Sequence, residues 1–313
     1  MVKKRFSARI LLIFLIVYSL LNLTAVYASS DPIAVLYPEI REPYNQIFVN
    51  ITLGIEKEYG TKVKVLKLTK KTDINDVNKW LAQHQISGVI TLGSKGYSIA
   101  QQLKKEIAVV VGAVRIAATS GELNGISMFP SPQTVLQEMR RLIPTINKVH
   151  FILNPNKQQW LLPWIKSAEQ VGVQLTLHEA KDLTESATRY RDLLNVLDHK
   201  KEALWLMSDR AIMDPAIMSD ILEQAWEKNL TVFSNSLADV KRGALFAIYP
   251  DNHAMGRSLA KALAKVLLHP NDAPGIILLT DTLIAINQRT AKHLGLYFNK
   301  AKQQDFGLVY PLQ

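Results

Sequence analysis

The sequence predicts an α/β protein built as two similar lobes of parallel sheet, and three observations carry that prediction. Short, continuously apolar runs recur with the length of strands buried on both faces. Capped amphipathic stretches separate them, so successive strands are joined by helical crossovers and lie parallel. The apolar runs end repeatedly in small polar clusters, and open α/β sheets present their ligand beyond those carboxyl ends.

The chain opens with Lys3, Lys4, Arg5 and Arg9 ahead of an apolar run over residues 10–26. Val26-Tyr27-Ala28 fits the small-x-small pattern of signal-peptide cleavage, so residues 1–28 are expected to be a signal peptide removed after Ala28. A retained anchor is the competing reading, because the run is at the lower limit for crossing a bilayer. The 313 residues contain no Cys, which excludes a disulfide framework, a thiol nucleophile, Cys-ligated metal and a lipidated cysteine. The expected destination is the periplasm, without a lipid anchor.

The full chain carries 37 Lys and Arg against 27 Asp and Glu. Four of the basic residues belong to the leader, which leaves 33 against 27 spread along the remainder. Lys67, Lys70 and Lys71 form one short basic patch and Lys104 and Lys105 another, neither interleaved with aromatics, so both read as solvated surface. Nucleic acid is not an expected partner.

In order, residues 33–37 read as a strand ending in a polar, proline-bounded turn that contains Glu39. Residues 44–59 form an amphipathic helix closed by Gly60. Residues 63–68 alternate like an outer strand, and Asp73 caps a helix carrying Val77, Trp80 and Leu81. Residues 88–92 are a strand running into Gly93-Ser94-Lys95-Gly96, with a helix to about Lys105. Residues 107–111 are an apolar strand turning into Gly112-Ala113-Val114-Arg115. Residues 117–132, rich in Ala, Thr, Ser, Gly and Pro, break the rhythm and are expected to be the first crossing between lobes.

A helix with Val135, Leu136, Met139 and Leu142 then begins the second lobe. Strand 149–153 ends in Asn154-Pro155-Asn156, which opens a helix over about 157–171. Strand 173–177 and helix 184–198 follow. Strand 203–207 ends in Ser208-Asp209-Arg210, and Asp214-Pro215 starts the next helix. Strand 230–233 ends in Ser234-Asn235-Ser236, and strand 244–248 runs into Tyr249-Pro250-Asp251-Asn252 before a helix over 253–268. Residues 276–279 and 283–286 are short strands, and Asn287 starts a helix stopped at Gly295. Residues 297–313 read as a surface tail. The expected domains are 29–117 plus about 252–278 as the N-terminal lobe, and 118–251 plus about 279–313 as the C-terminal lobe. Two such lobes with cross-connections form a hinged ligand trap.

Enzyme signatures are missing. The seven histidines never fall in metal-ligand spacing, Gly93-Ser94-Lys95-Gly96 lacks the Gly-Lys-Ser/Thr ending of a P-loop, and there is no Gly-x-Ser-x-Gly elbow. No catalytic residue, metal or cofactor is expected.

Four motifs in order carry a family resemblance: Asn154-Pro155-Asn156 after a strand; Lys241-Arg242-Gly243-Ala244-Leu245 before one; Asp251-x-x-x-Met255-Gly256-Arg257; and the stretch from Asn287-Gln288-Arg289-Thr290 to Leu294-Gly295-Leu296. Together they resemble the ABC-transporter substrate-binding family that includes tryptophan- and tyrosine-binding members. The resemblance implies the type I periplasmic binding fold: two Rossmann-like lobes, three crossovers, a small organic ligand between them and a membrane permease as partner. It matches Asp209 to the family's aspartate after a second-lobe strand and Asp251 to its aspartate at the return crossing. The chain departs where the family carries Thr-Asp-Pro, having Arg115 in that segment, and Ser236 stands near the family's acidic residue after Phe233.

The candidate ligand contacts are Glu39, Tyr44, Ser94, Arg115, Asn154, Asp209, Asn235, Ser236 and Asp251. Glu39 and Tyr44 follow the first strand and sit at the rim. Ser94, with the helix N–H groups beside it, fits a carboxylate or a helix cap equally well. Arg115 suits a carboxylate held by its guanidinium fork, or an ion pair between lobes. Asp209 suits a cation or a turn, Asn235 and Ser236 are turn-formers placed at a strand end, and Asp251 suits a helix cap or a ligand contact. Trp160 and Trp164 fit either core packing or stacking on a ligand, whereas Trp80, Trp205 and Trp226 fall at core positions. The expected function is capture of an amino acid or other carboxylate-bearing solute by a monomer that delivers it to an ABC permease. The alternative is a sensor that signals to a membrane histidine kinase or cyclase.

Overall fold

A computed structural model describes residues 32–118, 123–156, 162–207, 209–270, 274–299 and 303–311. The expected signal peptide and Trp160 lie outside them. The first half alternates as predicted: β1 (Ile33–Pro38), α1 (Asn45–Tyr59), β2 (Lys64–Leu68), α2 (Ile74–Gln83), β3 (Gly88–Leu92), α3 (Gly93–Ala100) and β4 (Ala108–Val114). β1 and β3 are buried along their length, whereas β2 is largely exposed because it forms the sheet edge. The Asp73 carboxylate accepts the Asn75 and Asp76 N–H groups and starts α2, as its residue type and position predict. α3 stops at Ala100, short of the expected end near Lys105.

The first crossing is displaced from its expected place. Residues 124–130, assigned by sequence to the second lobe, form β5 (Asn124–Pro130), which pairs in parallel with β4 in the first sheet. Gly125 makes that pairing possible, since a β-carbon there would run into the Val111 carbonyl oxygen. The chain therefore leaves the first sheet at Ser131 and not at residue 117.

The second sheet follows from α4 (Pro132–Leu142), β6 (Lys148–Leu153), α5 (Leu162–Val171), β7 (Gln174–Glu179), α6 (Leu183–Val196), β8 (Glu202–Leu206), α7 (Pro215–Glu227), β9 (Thr231–Ser234), α8 (Leu237–Arg242) and β10 (Phe246–Pro250). The chain then returns to the first sheet through α9 (Asn252–Leu268) and β11 (Ile276–Leu279). It finishes in the second with β12 (Thr282–Asn287), α10 (Gln288–His293) and β13 (Leu308–Tyr310). The sheet orders are β11-β5-β4-β3-β1-β2, all parallel, and β13-β12-β10-β9-β8-β6-β7, parallel except where β12 meets β10. The expected surface tail contributes β13 to the sheet, and α8 is a helix in a stretch to which the sequence assigns no element.

α9 and α1 cover one face of the first sheet, packing Ile51, Ile55, Met255, Leu259 and Leu263 onto Val35, Ile90 and Val110. The second lobe stacks four rings in series, Trp164 on Trp205, Trp205 on Phe233 and Phe233 on Phe246, with centroids 4.9, 5.6 and 4.9 Å apart. Trp164 and Trp205 are therefore core residues. Trp226, expected in the core, is 36% exposed on the outer face of α7.

The three connections between sheets leave or enter at Pro130, Pro250 and Leu279, each the carboxyl end of a parallel strand. They are bonded to one another: Ser131 N–H donates to the Leu279 carbonyl (2.7 Å) and Asp251 N–H to the Asp281 carbonyl (3.0 Å). The carboxyl ends of both parallel sheets thus lie at the level of this bundle of crossings.

Candidate functional site

Strand order decides which polar residues can act together. In the first sheet β1, β3 and β4 are consecutive neighbours, so Glu39, Ser94 and Arg115 follow three adjacent strand ends. In the second, β6, β8 and β9 are neighbours, which puts Asn154, Asp209 and Asn235 at adjacent ends. Neighbouring strands lie about 4.8 Å apart, so each set spans about 10 Å, the dimension of a small organic molecule.

On the first lobe the candidates are open to solvent. Ser94 is exposed in the first turn of α3, where unpaired backbone N–H groups face outward from the end of β3. Its neighbour Lys95 is committed elsewhere, donating through Nζ to the Thr72 carbonyl (3.1 Å). At the end of β4 the register with β5 shifts between Val111 and Val114, and Ala113 has φ +52°. This bulge turns the strand end, and bulges characteristically re-aim the side chains beyond them. Arg115 is exposed just past it and, among the described residues, has no carboxylate partner. Glu39 is exposed, its backbone N–H bound to the Leu68 carbonyl, and Tyr44 is 66% exposed at the start of α1.

On the second lobe the candidates are more tightly held. Asn154 is buried and spends both ends of its amide, donating to the Lys181 carbonyl and accepting from Asn156 N–H. It fixes the turn and has little left for a ligand. Asp209 is 8% exposed, and its Oδ1 accepts from Ala211 N–H (3.1 Å). Asn235 accepts from the Trp205 indole N–H through Oδ1 (2.8 Å), which ties a strand-end residue to the ring stack and leaves its amide nitrogen to donate. Ser236 is half-buried at the start of α8, and its side chain makes no capping bond. Asp251 caps α9 through Oδ1 to Ala254 N–H (2.9 Å), so its carboxylate serves the helix.

A buried polar group beneath this end escaped the sequence reading. Ser234 Oγ donates to Asp239 Oδ2 (2.6 Å), and burial pushes the Asp239 carboxyl up, opposed by Ser234 and Arg242. The wholly buried Tyr190 phenol is pushed up by burial and by the Asp209 and Asp239 carboxylates. Asp239 sits five residues beyond its partner on a six-residue helix, so no periodicity marked it.

A family model described as ABC transporter substrate binding protein matches residues 55–302. The chain belongs to that family. Among curated proteins, none matches the chain. Solved structures similar to it include a ligand-free, open substrate-binding protein with adhesive properties from Clostridium difficile, 15% identical with TM-score 0.64. Another is an ABC domain from Streptococcus pneumonia in complex with L-Trp, 17% identical with TM-score 0.53. Each comparison covers 90% of this chain and 100% of the other. At these identities the likeness is one of fold, and it makes the two-sheet architecture that of a type I periplasmic binding protein. Substrate-binding proteins of this family are extracytoplasmic and bind small molecules. Among the described residues no helix is long and apolar enough to cross a membrane.

Proposed function

We propose that this substrate-binding protein captures a carboxylate-bearing organic solute between its two lobes and delivers it to an ABC permease. The observation that carries the reading is the placement of polar residues at three adjacent strand ends in each sheet, at the level of the crossings. A solute held there bridges both lobes, and the short crossings are the hinge about which they close. The ligand class rests on Arg115, an exposed guanidinium without a carboxylate partner, opposite a second lobe whose strand ends offer the Asn235 amide and the Asp209 carboxylate. An amino acid fits both, with its carboxylate on the first lobe and its amine on the second. The basic, apolar leader of residues 1–28 supports export to the periplasm, with the mature chain acting as a monomer.

The test is a thermal-shift screen of the chain from Ser29 to Gln313 against amino acids, aromatic acids, purines, sugars and small carboxylates. A ligand that binds the native state alone raises the melting temperature. A shift with carboxylates that disappears in Arg115→Ala or Asp209→Ala is the expected result. A screen that stays flat after the protein has been unfolded and refolded to strip carried-over ligand overturns solute capture.

A further inference from the structure

A second polar groove lies at the opposite end of the second lobe. It occupies about 860 Å³ at the amino end of β10, between α7, the turn after α8 and the start of α10. One wall carries Lys241, Arg242 and Arg289, and the other carries Glu223 and Glu227, one helical turn apart. Among the described residues none of these five forms an ion pair, the opposite charge that Arg242 feels being Asp239 on its own helix. α10 reaches α7 through Arg289 and His293, yet the basic and acidic side chains around the groove form no ion pair with one another.

The backbone beneath Lys241 and Arg242 is fixed, and the Arg289 side chain is held by a ring. Asn287 donates to the Val240 carbonyl (2.8 Å) and Thr290 to the Gly243 carbonyl (2.9 Å), fixing the turn that bears Lys241 and Arg242. Arg289 stands over the Trp226 ring at 5.4 Å. That ring in turn stacks on His293 at 3.7 Å, and His293 bonds the Trp226 carbonyl. The stack places the Arg289 fork before any ligand arrives, and a pre-placed guanidinium loses less freedom on gripping an anion.

We propose that this groove binds a small zwitterionic organic molecule, its carboxylate on Arg242 and Arg289 and its ammonium on Glu223 and Glu227. The site is separate from the one between the lobes, and neither depends on the other.

The experiment follows the Trp226 indole N–H by heteronuclear NMR on the mature chain, the peak being located by its loss in Trp226→Phe. The probes are para-(aminomethyl)benzoate, which carries both charges, and benzoate and benzylamine, which carry one each. The zwitterion is expected to move the peak saturably, at a concentration about tenfold below either single-charge probe. Arg242→Gln with Arg289→Gln, both at exposed positions, should raise that concentration about tenfold. Arg115→Ala, which disables the other site, should leave the titration unchanged. An unmoved peak, equal response to all three probes, or a titration that survives the double substitution overturns the proposal.

Discussion

Arg115 reaches solvent from a strand end whose neighbours are almost all apolar. With the ligand carboxylate held on Arg115 as proposed, Arg115→Ala should weaken binding of a carboxylate ligand about 10- to 100-fold, or ~1.5–3 kcal/mol. Arg115→Lys should restore only part of that, because an ammonium keeps the charge and loses the fork. Titration calorimetry with the ligand found by the screen measures both. The histidines of the second lobe make a different prediction. His150 Nδ1 and His178 Nε2 share a hydrogen bond (3.0 Å) across β6 and β7, and Glu202 lies 3.5 Å from His150 and 3.1 Å from Lys148. Burial holds both imidazoles below the usual histidine value; at His150 Glu202 opposes it and Lys148 adds to it, and at His178 the His150, Arg189 and Lys148 charges add to it. The folded state therefore takes up protons less readily than the unfolded chain. Their contribution is complete above about pH 6.5 and is lost as pH falls from there through the depressed folded values. Urea midpoints should drop across that window, and the drop should flatten in the His150→Phe, His178→Leu double variant.

At the scale of elements, the contact between α1 and α9 sets how firmly the returning chain grips the first lobe. A β-carbon on Gly54 would meet the His253 carbonyl oxygen, and one on Gly256 would meet the Ile51 carbonyl oxygen. Backbone atoms cannot yield as side chains do, so Gly54→Ala or Gly256→Ala should push the helices apart and cost about 1–3 kcal/mol, visible as a lower melting temperature. Asp251→Ala, which removes the cap of α9, should cost ~1 kcal/mol by the same measurement. These elements were legible because each has its own signal: Asp73, Asp214 and Asp251 cap helices, and apolar runs mark the buried strands. β5, α8 and β13 were not. β5 has a short apolar run over residues 125–129, but Ser127 interrupts it, Gly125 is required by the close approach to β4, and the residues around it are Ala, Thr, Ser, Gly and Pro; β13 has three residues and α8 six. Each owes its existence to what it packs against, and sequence periodicity does not record that. Trp226 failed for a related reason: its position on α7 reads as core, but the α10 residues that stack on it come 63 to 67 positions later.

For the whole molecule, two sheets joined by bonded crossings predict closure on ligand. Saturating ligand should reduce the radius of gyration measured by small-angle X-ray scattering, and no change would mean that the lobes are already closed or do not move. The strand-end positions of the candidate contacts were legible from sequence, because a polar cluster after an apolar run marks the carboxyl end of a strand. Which of them are committed was not. Asn154, Asn235 and Asp251 all stand at strand ends, and what commits each is the neighbour within its reach: Lys181, Trp205 and Ala254.

The return of the chain to its first sheet also sets an order of events during synthesis. Gly275 bonds Asn124 across 151 residues, and β11 and α9 complete a sheet begun at Ile33. The first lobe cannot shut until residue 279 has emerged, so most of the chain is made before its earliest part is stable. A truncated chain ending at Pro250 should accordingly be digested by protease within the first lobe, where the complete chain resists. For an extracytoplasmic protein that delay is useful, since a chain that cannot finish folding early remains threadable through a secretion channel.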